Sequence, residues 1–543
     1  MNKASKITLW VLGTIVAVLV AAFLAADIIV SKLVQREVSV ALKKMPQAEA
    51  SVGNIYLHLL SGSAIVKDIT FRTHHLNLEE DSLSSDSIVP GLAIRIPTLA
   101  VWDIDYIQLL KHQRLSIYKI SLDNLSFAVC MDETNPASLL PTLPEDTTLE
   151  KADDLLKGIE VKHIDIENLR GWLRSTTSPL DVKVDSLSFA CHGLGYSFAD
   201  SLFTYNDSVY SLSFAQAKVA TPDGQMALEV HNFAHENQGP LTLGYTHILN
   251  TVTPKEMARR AKDYITWIDL ELNSLATSPF NPIRKALAKD CTLESIKFDV
   301  RRMHVFRDES GKPKLPFPTP QEVLRQLPIV FNINKIDGIA RIIDVEYAKT
   351  DINIGKLHVK DIRLALHNVT NKPGTVWYNR AKAPIGTGKV DASFNMYMDK
   401  ASTFELSIAG DSIEMSFMNP FIRPLVGMTC ESRINKIDVA YKGDKTKANG
   451  TFCMQYSGLD IQVHKEDKIP YKIITDNADL FTGIANALIP KSNPTAVDIH
   501  PRKYAVEWVR DLNMPFAFYL FGPCIDGVKM TMLPGLYVHK QVQ

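Results

Sequence analysis

Long stretches of the chain alternate between apolar and polar residues with a period of two, which predicts strands that bury one face. From Val390 to Asp399 the even positions are apolar and the odd positions are polar or tyrosine, and residues 403–408 and 459–464 alternate in the same way. Such strands form sheets with one dry and one wet face, as in antiparallel meanders. The larger side chains of these apolar rows are Phe394, Met396, Met398, Phe404, Leu406, Ile408, Leu459, Ile461 and Val463.

A short motif, apolar-x-apolar-x-(Asn/Asp)-apolar, occurs at residues 64–69, 120–125, 164–169 and 357–362. In each copy the apolar alternation slips by one residue at or just after the Asn or Asp. Because one extra residue exchanges the two faces of a strand, the slip predicts a β-bulge or a sharp bend in every copy. The copies are irregularly spaced, which argues against a solenoid of fixed period.

Helices are predicted to be few and short. Capping boxes with proline at the first helical position begin at Thr253 and Thr319, and predict helices that run through residue 265 or beyond and to about residue 327. The pattern also favours helices over residues 153–159, 479–488 and 503–520, the last broken or kinked at Pro515. The predicted loops cover residues 79–90, 311–320 and 371–388.

Residues 7–26 form a run of 20 residues without a charge. At 1.5 Å per residue, a helix of this length spans about 30 Å, the thickness of one hydrocarbon core. A cleaved signal peptide is the alternative, but its apolar core usually has only about 7–15 residues. Lysines lie on both sides of the run, so the charge count does not fix the orientation. A short N-terminus before a long domain is typical of an uncleaved anchor with its N-terminus in the cytoplasm, and we expect this arrangement.

Composition excludes several classes of protein. Of the 543 residues 46% are hydrophobic and 22% charged, which is ordinary for a folded protein and argues against global disorder or many membrane spans. A net charge of −1 gives no basic footprint for nucleic acid. The six cysteines include no C-x-x-C pair and no zinc spacing. In a hairpin centred on residues 443–446, Cys453 would face about Lys436, roughly 20 Å from Cys430 and too far for a disulfide.

The sequence contains no recognisable catalytic constellation. Residues 383–389 superficially resemble a phosphate loop, but Val390 stands where Mg²⁺ needs a hydroxyl, and a strand pattern follows. His231 and His235 have the spacing of zinc ligands, yet Asn232 occupies the position where a zincin carries its glutamate, so a solvated loop is expected. We assign no catalytic residue, no metal ligand and no cofactor, and we expect that the chain is not an enzyme.

Several stretches carry soft family motifs built from apolar alternation and a few polar markers. They are Ile55–Ile69, Ile96–Trp102, Tyr106–Leu110, Leu115–Leu122, His304–Asp308, Pro316–Pro328, Val345–Tyr347, Asn419–Pro420, Phe481–Leu488 with Pro490, and Val509–Asp511. Together these stretches resemble the AsmA-like family of repeating-β-groove proteins in the envelopes of Gram-negative bacteria. The resemblance extends over nearly the whole region after the anchor.

The resemblance implies a mainly β fold, namely an elongated, curled antiparallel β-groove with a few short helices and an N-terminal transmembrane helix. It implies a single-pass inner-membrane protein whose periplasmic ectodomain binds or transfers phospholipid or another acyl lipid, supports outer-membrane biogenesis and meets envelope protein partners. The nine residues of the apolar rows are then the candidates for lining the groove. The implied segments are a cytoplasmic N-terminus (1–6), an anchor (7–30), a juxtamembrane helix (31–50), the groove ectodomain (51–500) and a helical or amphipathic C-terminal segment (501–543).

A second interpretation has the same strands but no groove. The apolar rows would then fill a β core, and the chain would be a non-catalytic scaffold or regulator of outer-membrane assembly. Residues 514–533 are rich in Phe, Leu and Met, and either close one end of a sheet or touch a membrane or a partner. The two interpretations differ in whether the inward row faces open space or packed side chains.

Overall fold

The computed structural model describes residues 26–37, 39, 48–73, 76, 78, 90–131, 157–175, 181–197, 202–221, 225–260, 265–308, 316–348, 350, 353–465, 478–497 and 499–542. The cytoplasmic N-terminus and most of the anchor that the sequence predicts, residues 1–25, lie outside these ranges, as do residues 79–89 of the first predicted loop. Within the described ranges no helix combines the length and the apolar character needed to cross a membrane.

The chain divides into two compact units, Met1–Leu243 and Gly244–Gln543. The elements of the first unit are α1 (residues 26–37), β1 (Ala48–Ser51), β2 (Ile55–His58), β3 (Ser63–Thr73), β4 (Gly91–Ile104), α2 (Tyr106–His112), β5 (Arg114–Asp123), β6 (Ser126–Met131), β7 (Gly158–Ser175), β8 (Asp181–Ser197), β9 (Leu202–Ala220), β10 (Met226–Glu236) and β11 (Leu241–Leu243).

Among the described residues the second unit has six α-helices against two in the first, and three of the six lie in its C-terminal half. Its elements are β12 (Thr246–Asn250), α3 (Pro254–Arg260), β13 (Ile265–Thr277), α4 (Pro282–Leu287), β14 (Asp290–Asp308), α5 (Pro320–Arg325), β15 (Val330–Ala348), β16 (Ile354–Thr370), β17 (Val376–Ile385), β18 (Gly388–Tyr397), β19 (Phe404–Glu414), α6 (Asn419–Val426), β20 (Met428–Gly443), β21 (Lys447–Val463), α7 (Ala478–Leu488), β22 (Lys503–Val509), α8 (Phe516–Met532) and β23 (Gln541–Val542).

The prediction of a mainly β fold is confirmed, and most neighbouring strands pair antiparallel. Each unit also contains strands that run parallel to a neighbour. In the first unit β5 and β6 run parallel to β7, and in the second β14 runs parallel to β15. Two parallel neighbours need a crossover connection, because the chain must return to the end of the sheet where the first strand began. The crossover between β14 and β15 contains α5.

The bends predicted from the repeated motif are present in all four copies. The Asn or Asp of each copy has a left-handed backbone with φ between 53° and 56°, at Asp68, Asn124, Asn168 and Asp361. Asn and Asp adopt this conformation more easily than other residues with a side chain. In β16 the half-buried apolar positions are Leu357 and Val359 before the bend and Ile362 and Leu364 after it. The bend therefore keeps the apolar residues on one face. At Asn168 the β7–β8 register also shifts, as in a bulge.

Several helix predictions are confirmed and others are wrong. Thr319 caps α5 as a capping box, its hydroxyl accepting from the Glu322 amide, and α7 occupies the segment predicted at 479–488. The helix beginning after Thr253 is described over Pro254–Arg260, and the prediction that it reaches residue 265 is wrong, because the residues from Ile265 onward pair with β14 as a strand. Gly158 and Ile159, predicted at the end of a helix, instead begin β7, whose pairing with β5 outweighs their helical pattern.

The prediction of a helix over residues 503–520 is wrong for its first part. Residues 503–509 form β22 and pair with β21, and the helix α8 begins only after Pro515. Proline lacks the amide hydrogen that a helix interior uses, so Pro515 marks a start rather than a kink. The predicted loop at residues 371–388 contains β17, which forms a hairpin with β18. The predicted juxtamembrane helix is described as helical to residue 37, and residues 48–51 pair with β3 as a strand.

Candidate functional site

The nine predicted groove residues lie close together in the second unit, on β19, on β21, and on or just after β18. Seven of them are buried, and Phe394 and Ile408 are half-buried and pack against the same cluster. Phe404 is completely buried and Leu406 is 6% exposed. Eight of the nine residues, all but Val463, belong to one contiguous apolar cluster or pack against it, and this cluster is a filled core.

Helix α8 closes this core. Its Phe516 and Tyr519 rings meet Phe404 edge to face, with centroid distances of 5.6 and 5.5 Å. The helix approaches β21 closely at Gly527, where an added Cβ would lie 2.1 Å from the Phe452 ring. Only glycine allows that approach, since any side chain would collide with the ring. Of the two expectations for residues 514–533, the packing shows that this stretch closes a sheet.

Beside the filled core the apolar face is partly open. A cleft of about 280 Å³ lies over β16, β17 and β18. Its lining residues are Leu364, Leu366, Val369, Trp377, Asn379, Arg380, Ala381, Ala392, Phe394 and Met396. Two of the predicted groove residues, Phe394 and Met396, thus belong both to the edge of the core and to the wall of this cleft.

The cleft exists because small side chains oppose each other. Ala381 on β17 pairs with Ala392 on β18 and with Leu364 on β16, so two methyl groups stand where larger side chains would fill the space. The Trp377 ring forms one wall, and its indole NH donates to the Thr370 carbonyl at 2.8 Å. This hydrogen bond satisfies the polar atom of the tryptophan and leaves its apolar surface for the cleft.

Polar groups near the cleft are already bonded within the hairpin. The Asn379 side-chain amide donates to the Phe394 carbonyl at 2.7 Å. Arg380 borders the cleft, but its guanidinium is on the opposite face of the hairpin, where it donates twice to Asp391 at 3.0 Å, and Lys382 lies 3.2 Å from the same carboxylate. The Arg380 guanidinium, assisted by Lys382, lowers the pKa of Asp391 below its usual range. One face of the hairpin is thus dry and the other carries ion pairs, as the alternation predicts.

Sequence reasoning missed most of the cleft. Residues 371–388 were predicted as a loop, so Trp377 and Ala381 could not be placed on the apolar face. A usable signal was present, because Trp377, Ala381 and Ile385 alternate with Tyr378, Arg380 and Lys382 over ten residues of β17. The alternation is weak because alanine contributes little apolar surface.

A cluster of potential metal ligands was also missed. His247 on β12 and Asp269 and Glu271 on β13 bring their ligand atoms within 4.8 Å of one another. Each has a protein partner, since His247 lies 3.1 Å from Asp269 and Arg301 lies 3.3 Å from Glu271. An arginine already balances the charge there, so we assign no metal to this cluster.

The other chemical candidates are part of ordinary strands. His231 and His235 lie in β10 rather than in the predicted solvated loop, and burial lowers the pKa of His235. The sequence 383–389 forms the end of β17 and its turn into β18, which lacks the helix of a phosphate loop. Cys453 faces Asp438 rather than Lys436, and both Cys453 and Cys430 are free thiols.

Comparison with protein-family models and with curated proteins gave no match. The fold and the cleft define a mainly β protein whose apolar sheet face, in its second unit, is filled beneath one helix and open beside it.

Proposed function

We propose that the chain is a membrane-anchored, AsmA-like periplasmic protein that binds phospholipid or another acyl lipid and supports outer-membrane biogenesis. The observation that carries the proposal is the open apolar cleft over β16–β18. Its wall of Leu364, Leu366 and Trp377 continues the apolar row of the filled core, and its polar neighbours are bonded elsewhere.

The apolar lining and the volume of the cleft suit part of an acyl chain. Each methylene moved from water into an apolar site contributes about 0.8 kcal/mol, so five buried methylenes contribute about 4 kcal/mol. A volume of about 280 Å³ lies just below the usual range for ligand sites, which begins at about 300 Å³. The cleft therefore accommodates part of one tail and leaves the headgroup in water.

Photocrosslinking tests the proposal on the full chain in membranes. The probe is a phospholipid with a diazirine on one acyl chain, and the adducts are mapped by mass spectrometry. We expect adducts on peptides from β16–β18. Ala392→Trp fills the cleft and Leu364→Asp places a charge in it, so both should lose these adducts. Ala409→Trp, at an exposed position of β19, is the matched control and should retain them.

The filled core favours a second candidate function, a non-catalytic scaffold or regulator of outer-membrane assembly. Phe404 and its aromatic neighbours leave no open row beneath α8. In the same experiment a scaffold predicts lipid adducts on the anchor alone, with none on β16–β18 in the wild type. That result would contradict the lipid-binding proposal.

A further inference from the structure

Helix α1 turns polar side chains toward the protein, which is the reverse of an ordinary surface helix. Asp27 and Ser31 are buried, and their side-chain oxygens accept hydrogen bonds from the backbone amides of Leu59 and Leu57 at 2.9 and 2.8 Å. Gln35, a further turn along, donates to the Gly53 carbonyl. The polar stripe of the helix therefore faces the protein and fixes α1 against β2 and the residues flanking it.

The other side of α1 presents apolar residues outward, beside the exposed Lys32 and Arg36. Ile28, Ile29 and Leu33 are 60%, 65% and 60% exposed. A helix on a water-facing surface normally turns its apolar stripe toward the core. An apolar stripe turned outward on a helix fixed by hydrogen bonds indicates an apolar medium on that side.

Neighbouring elements continue this apolar surface. The turn after β2 meets the end of β4, where the Ile104 amide donates to the Gly62 carbonyl at 2.8 Å. A recess of about 340 Å³ at this point is lined by Leu60, Tyr106 and Tyr118 together with the charged Asp103, Asp105 and Lys162. We call the exposed residues of this region the apolar edge; they are Ile28, Ile29, Leu33, Leu60, Trp102, Tyr106, Ile107 and Tyr118.

We propose that the apolar edge lies in the interface of a lipid bilayer, as a second membrane contact beside the anchor. The uncharged run 7–26 is joined directly to α1, and α1 is bonded to β2, so the point where the run joins the described chain lies beside the apolar edge. Trp and Tyr are enriched at membrane interfaces, where an apolar body and a polar tip are both satisfied. The last turn of α2 carries Lys111 and His112, which suit lipid headgroups.

This inference rests on the membrane anchor of the proposed function but not on the lipid cleft. It places the edge of β2, β4 and β5 against the membrane surface and commits to a bilayer as the occupant. A protein partner would instead cover the apolar edge without bringing it near acyl chains.

Fluorescence quenching in nanodiscs tests the inference on the full chain. Nanodiscs are made with phosphatidylcholine and phosphatidylglycerol, with either plain or brominated acyl chains. The difference in tryptophan emission between the wild type and Trp102→Phe gives the emission of Trp102. The difference between the wild type and Trp10→Phe gives the emission of Trp10, in the predicted anchor. We expect brominated chains to quench most of the emission of both residues. Trp267, buried in the second unit, should be unaffected and serves as the control.

The outcomes separate the two proposals. Quenching of Trp10 without quenching of Trp102 would overturn the apolar edge and leave the anchor intact. Absence of quenching at both would overturn the anchor as well. Quenching of Trp102 with no photocrosslinks in the cleft would support the edge while the lipid-binding function fails.

A second variant checks that the apolar contact causes the quenching. Ile107→Asp places a charge at an exposed position of the edge, so folding is preserved and Trp102 should be released from the quencher. Ile268→Asp, at an exposed isoleucine of β13, is the matched control and should change nothing. Quenching of Trp102 that persists in Ile107→Asp would contradict insertion of the edge.

Discussion

Replacing Phe404 by alanine tests whether the apolar row is a filled core or an open groove. Phe404 is completely buried, and its ring lies 5.5 to 6.3 Å from the rings of Phe394, Tyr441, Phe516 and Tyr519. The substitution removes the ring from the centre of this aromatic group, and α8 holds the walls of the resulting cavity in place.

The magnitude follows from that packing. Truncation of a buried phenylalanine to alanine costs about 3–5 kcal/mol, including the cavity it leaves. Because aromatic rings surround Phe404 and α8 keeps the site from collapsing, we expect about 4 kcal/mol in the free energy of unfolding of the second unit. At a denaturant dependence of about 3 kcal/mol per molar urea, the unfolding midpoint should fall by more than about 1 M.

The assay is urea unfolding of the full chain in detergent micelles, with hydrogen exchange assigning the transition to the second unit. Tyr378→Ala is the control, because Tyr378 is 51% exposed on the outer face of β17 and should change stability by less than about 0.5 kcal/mol. If Phe404→Ala shifts the midpoint no more than the control does, the argument for a filled core is wrong and the row is open.

Three further substitutions probe other features. Gly527→Leu would collide with the Phe452 ring, so we expect a loss of about 2 kcal/mol and faster hydrogen exchange throughout α8; unchanged exchange would contradict the close packing. Asn168→Val forces a β-branched residue into the left-handed region and should cost about 1–2 kcal/mol in the first unit, whereas Asn168→Gly should be nearly neutral by thermal unfolding. The Arg341 guanidinium lowers the pKa of Asp299, so Asp299→Asn should lose less than about 1 kcal/mol of stability at pH 7. This loss should vanish as the pH falls below about 4 and through the lowered pKa, because the wild-type carboxylate is then protonated. An equal loss at pH 3 would argue against the ion pair.

Local signals in the sequence were sufficient to predict strands and their bends. The slip in alternation at Asp361 predicted a bend, and the structure has a left-handed residue there. Alternation also grouped Phe404 with Leu406 and Ile461 on one face. Each of these inferences depends on residues close together in sequence.

The features that could not be predicted from the sequence depend on contacts between residues that are far apart in the chain. Helix α8 covers Phe404 from more than a hundred residues away, and no local pattern says which sheet face a helix will cover. The same limit affected Lys503–Val509, whose apolar spacing suits a helix but whose partner strand is β21. The cleft was missed for a different reason, since Ala381 and Ala392 form it by their small size rather than by a chemical signature.

The parallel pairing of β14 and β15 has a consequence for the order in which the second unit folds. Its crossover is held from elsewhere: Thr319 bonds Ser402 at 3.2 Å, the Phe317 amide donates to the Leu512 carbonyl, and Arg510 donates to the Phe317 carbonyl. Residues near the end of the chain thus secure a connection made some two hundred residues earlier. During synthesis these contacts form only after Arg510 and Leu512 have emerged, so the crossover stays unsecured while the strands β16–β22 are being made.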